Sequence, residues 1–99
     1  MEGHATISTD ILARYAGDAA RETPGVHGLV PSQLLRHRGV RVEQSDAGVR
    51  VELHVAVEWG VAIPTVGAEV ERRVREYLAR MADLDEVDVD VVVDDVAVQ

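Results

Sequence analysis

From Val49 to Trp59 an apolar side chain stands at every second position (Val49, Val51, Leu53, Val55, Val57, Trp59), with Arg50, Glu52, His54 and Glu58 between them. A period of two over that length describes a β-strand with one buried face, and no helix accommodates it. Gly60 breaks the alternation and Pro64 supplies a preset φ for a first helical turn. Val66, Val70, Val74, Leu78 and Met81 then recur at the spacing of an amphipathic helix. On the other side of that helix Glu69 precedes Arg73, Glu71 precedes Arg75 and Glu76 precedes Arg80, each by four residues, so its wet face is expected to be self-paired.

The rest of the chain is read outward from this unit. Residues 1–6 carry no periodic signal and are expected to be a flexible leader. Ser8, Thr9 or Asp10 caps a helix whose apolar stripe is Ile11, Leu12, Tyr15, Ala16, Ala19 and Ala20. Pro24 and Gly25 stop it. Residues 26–30 read as a short strand in which Gly28 permits close backbone approach. Residues 31–39 form the longest candidate loop. Residues 40–43 alternate again, and Ser45-Asp46-Ala47-Gly48 is turn chemistry, which makes a β-hairpin with the long strand.

After the second helix, Val87, Val89, Val91 and Val93 alternate with Asp88, Asp90, Val92 and Asp94 in a last half-exposed strand. Strand, helix and strand in that order predict a right-handed crossover, with the last strand parallel to the long one. The expected fold is α+β in the order α-β-β-β-α-β: a two-layer sandwich with two helices on one face of a mixed sheet of about four strands. One domain is expected over residues 7–96, followed by a tail at 97–99.

Composition removes several classes of function. The 99 residues include no cysteine, so disulfides, thiolate catalysis and cysteine zinc sites are unavailable, and a cytoplasmic setting is the simplest expectation. No stretch has the roughly 18 apolar residues of a membrane span, so direct membrane insertion is not expected. The net charge is −8, and residues 83–99 hold seven acids and no base. That balance argues against nucleic acid as a partner. No serine lies in a glycine-flanked nucleophile turn, Gly60 has no phosphate-loop lysine after it, and His4, His27, His37 and His54 lack helical metal spacing. Neither an enzyme, nor a cofactor, nor a bound metal is expected.

What remains are contact surfaces. Arg36, His37, Arg38 and Arg41 form a basic cluster, read either as a solvated loop or as a contact for an acidic partner, including the acidic strand of a neighbouring copy. Asp88, Asp90 and Asp94 are spaced about 7 Å apart per two-residue step. They read as the wet face of an edge strand, with a divalent cation or charged ligand as the alternative. Trp59 reads as core, with a partly exposed contact residue at the sheet's end as the alternative.

A series of landmarks runs from residues 7 to 96: the Ile7-Ser8 helix start followed by Ile11-Leu12, Pro24-Gly25-Val26 with Gly28-Leu29, and Gly39-Val40-Arg41-Val42. They continue with Trp59-Gly60 and Ile63-Pro64, the Val66, Val70, Val74 helix, and Val87-Asp88-Val89-Asp90-Val91. In their order and spacing the chain resembles the bacterial alkaline shock protein family, associated with the envelope stress response. Members often carry tyrosine where Trp59 stands and asparagine where Asp88 stands. The resemblance implies a non-enzymatic cytoplasmic protein that self-associates and can be held at the membrane by a separate integral membrane anchor protein.

Overall fold

The structure, a computed structural model, describes residues 7–31 and 38–98. The leader, Arg36 and His37, and most of the 31–39 loop lie outside them. The order is α1 (Thr9–Arg21), β1 (Val26–Leu29), β2 (Val40–Ser45), β3 (Gly48–Glu58), α2 (Ile63–Ala82) and β4 (Val87–Ala97), as expected.

β3 organises the sheet because it has three partners and two edges. β4 pairs in parallel along β3 from Val49 to Glu58 and therefore occupies one whole edge. β2 pairs antiparallel with the first half of β3, Val42 opposite Val51, and β1 pairs antiparallel with the second half, Leu29 opposite Val55. The two short strands thus share the other edge end to end. Gly39 makes the junction possible: its φ is +88°, its carbonyl accepts from the His54 N–H at 2.8 Å, and a Cβ on it would lie 2.7 Å from the Val30 carbonyl oxygen. At Gly28 a Cβ would meet open space, so the close approach expected there belongs to Gly39.

The core is aliphatic, as a chain with no phenylalanine requires. Val51, Leu53, Val55 and Val57 of β3 are fully buried against Leu12 and Ala16 of α1 and Val70, Val74 and Leu78 of α2. Each such side chain contributes about 1.5–3 kcal/mol of burial. The two helices meet through an edge-to-face contact between Tyr15 and Tyr77, ring centroids 5.7 Å apart.

Local signals acted as their chemistry predicts. Ser8 caps α1 by accepting from the Ile11 N–H at 3.1 Å, and Pro64 sits in the first turn of α2. At the other end of α2, Asp83 closes the helix in the left-handed conformation with φ +57°.

The buried stripes are rotated from those read along the chain. α1 buries Ala13 and leaves Ile11 exposed, and α2 ends its buried row on Ala82 and leaves Met81 exposed. Only the orientation of each helix on the sheet decides this at a boundary position. On the wet face of α2, Glu69 and Glu71 pair with Arg73 and Arg75 as expected. Glu76 instead pairs with Arg72 at 2.8 Å, and Arg80 lies over the Tyr77 ring at 5.3 Å. An aromatic face one turn back competes with the exposed carboxylate for the guanidinium.

Candidate interaction surface

Both helices lie on one face of the sheet, so the other face carries the polar members of each alternation. In register across β2, β3 and β4 it presents Arg41, Glu52 and Asp90 in one row, and Glu43, Arg50 and Asp88 in the next. Glu52 and Asp90 are like charges directly opposite each other, an unfavourable cross-strand pair. Arg41 pairs with Glu43 along its own strand at 2.9 Å.

A β-bulge sets the geometry of the next row. Val55 is opposite Val93 but Ala56 is opposite Asp95, so Asp94 is an extra residue on β4. The insertion lets Asp94 and Asp95 both lie exposed while Val93 and Val96 stay with the core side. It brings Asp94 Oδ2 to 2.7 Å from His54 Nδ1, while His54 Nε2 lies 2.5 Å from Glu52 Oε2. Two carboxylates, one on each ring nitrogen, require both nitrogens to donate, which only the imidazolium does. The Glu52 hydrogen bond, opposed in part by burial and aided by Asp94, holds the His54 pKa above its ordinary value. The strand read alone places both Glu52 and Glu58 beside His54. Glu58 in fact faces His27, at 3.4 Å.

The expected charged contact residues that are described separate into three places. Asp88, Asp90 and Asp94 share the outer face of β4, exposed. Arg41 lies on the outer face of β2. Arg38, with φ +35°, joins Arg14 and Arg21 around a shallow cleft beside Gly17 of α1. Arg14 and Arg21 carried no sequence signal for this grouping, since helix and loop meet there only through the fold.

Trp59 is not core. It lies one residue past the end of β3 and is 74% exposed, beside the turn at Gly60, whose φ is +88°. Ile63 at the start of α2 is 42% exposed, and Val98, one step beyond the Glu58–Ala97 pair, is 79% exposed. The strand ends before the alternation does, so the last apolar residue passes the end of the core rather than entering it.

Among the described residues no group of three or more His, Asp or Glu side chains is placed to hold a metal ion, and no helix is long and apolar enough to cross a membrane. The described residues thus form a two-layer α+β domain with a charged outer sheet face and an exposed tryptophan at the end of its central strand. The chain belongs to the alkaline shock protein 23 family, which is described as having a cell envelope-related function and whose model matches residues 1–98. It is 30% identical over 92 residues to the uncharacterized protein YqhY of Bacillus subtilis, covering 83% of this chain and 68% of that protein. It is also 28% identical over 108 residues to the stress response regulator gls24 homolog of Streptococcus pyogenes, covering 97% of this chain and 60% of that protein's length. Among solved structures a MamM-CTD variant superposes with a TM-score of 0.59 at 12% identity, over 89% of this chain and 98% of that one, a likeness of fold.

Proposed function

We propose that this protein is a non-enzymatic structural protein of the envelope stress type, which self-associates and docks on a membrane-anchored partner. The observation that carries the reading is the exposure of Trp59. In a chain with three aromatic residues, its only tryptophan stands 74% in solvent with exposed Ile63 four residues on. Tryptophan is the side chain most over-represented at binding hot spots, and leaving it in water without a partner forfeits its burial energy. Membership of a family with a cell envelope-related function supports the same reading. So does the engagement of His54 by two carboxylates, which leaves it no free nitrogen for base chemistry.

Molar mass by light scattering, over a hundredfold concentration range and at two salt concentrations, tests self-association. Assemblies that grow with concentration and shrink on Trp59→Ala support it. A strict monomer at all concentrations retires it.

A further inference from the structure

We infer that the free edge of β4 is a docking site for an extended polypeptide segment of a partner protein, one that carries Lys or Arg at every second position and adds itself to the sheet as a fifth strand.

Three observations converge on that edge. The first is the backbone. β4 is eleven residues long, as long as β3, and pairs with β3 alone; among the described residues no strand lies along its other side. From α2, Arg75 reaches the start of β4, where its Nε donates to the Val87 carbonyl at 3.1 Å. A strand open over most of such a length is a template for strand addition.

The second is the apolar side. Leu53 and Val55 of β3 are fully buried, whereas Val91 and Val93, their register partners on β4, are only partly covered. Apolar side chains on an added strand would lie next to them and complete that row.

The third is charge. Asp88 and Asp90 stand on the outer face one extended-chain period apart, followed by exposed Val92 and then by Asp94, which His54 already engages. Arg50 stands opposite Asp88 without closing to an ion pair, Glu52 stands opposite Asp90, and among the described residues neither acid makes an ion pair. Basic residues at alternate positions of an added strand would stand beside Asp88 and Asp90 in turn. A second copy of β4 is a poor occupant, because antiparallel pairing of two such strands sets Asp against Asp or leaves the acids without a cation. β2 is little better, since Glu43 follows Arg41 on its outer face.

The test uses the full chain and a synthetic ten-residue peptide of alternating lysine and valine, with binding followed by calorimetry and by amide hydrogen exchange. Saturable binding that slows exchange in β4 is expected. It should weaken at least tenfold in the Asp88→Lys/Asp90→Lys double variant, whose fold is checked by circular dichroism, and at least tenfold for the peptide N-methylated on alternate amides. Trp59→Ala should leave it unchanged, which separates this edge from the surface invoked for self-association. Equal binding of the methylated peptide would reduce the interaction to charge attraction and overturn the proposal. So would equal binding of a glutamate–valine peptide, no binding at all, or self-association that the double Asp→Lys variant alone abolishes.

Discussion

His54 meets Asp94, the bulge residue near the end of β4, at 2.7 Å, so a single protonated imidazole ties the bulged edge strand to the central one. Its other nitrogen holds Glu52, and the pKa is raised, chiefly by that second bond. A raised folded pKa means that the stabilisation is complete below the unfolded value near 6.5 and is lost as pH rises through the folded value. Thermal melts of the wild type and of His54→Gln, compared from pH 5.5 to 9, should therefore show a wild-type advantage of about 1 kcal/mol at the acid end, shrinking toward the alkaline end. A difference that grows with pH would contradict the assignment of the imidazolium.

The rotated helix stripes predict unequal costs for similar deletions. Leu53→Ala removes a fully buried side chain from the middle of β3 and should destabilise by about 2–5 kcal/mol in urea unfolding. Met81→Ala, at a position that the helical period assigns to the core but the fold leaves 44% exposed, should cost less than about 1 kcal/mol. Equal losses would return Met81 to the core.

Two glycines are expected to part company. Gly39→Ala combines a positive φ with a Cβ placed 2.7 Å from a backbone oxygen, and should cost at least about 1–2 kcal/mol. Gly28→Ala meets open space and should be tolerated. Unfolding curves of the two variants, measured side by side, decide the matter.

Trp59→Ala should leave the unfolding midpoint within about 0.5 kcal/mol of wild type, since the indole contributes little to the core. Tryptophan fluorescence in dilute solution should be readily quenched by acrylamide, and protected from it at high protein concentration if copies associate through this residue. Loss of stability on truncation would show instead that the indole is packed.

Much of the architecture was legible because it rests on periods that local sequence carries. The eleven-residue β3, the four-residue spacing from Val66 to Leu78 and the alternation from Val87 fix element types, and their order leaves few ways to stack them. The candidate surface was legible only in part. The acids of β4 were placed correctly on an outer face, yet the bulge that seats Asp94 on His54 went unread. Its one signal was the doublet Asp94-Asp95 before Val96, a break in a strict alternation.

Alternation along the strands and the middle of each helical stripe by themselves determined which residues face the core, because a side chain's direction follows from its own backbone geometry, whereas the stripe edges at Ile11 and Met81 were left to helix orientation. These patterns could not determine where an element stops relative to the core, and this is why Trp59 continues the pattern of β3 but projects beyond the packed layers. Nor could they pair His54 with a residue forty positions away, set Gly39 against Val30, or leave one edge of β4 without a strand beside it among the described residues. Those outcomes depend on register between strands and on which helix covers which strand, quantities that exist only once the chain has closed on itself.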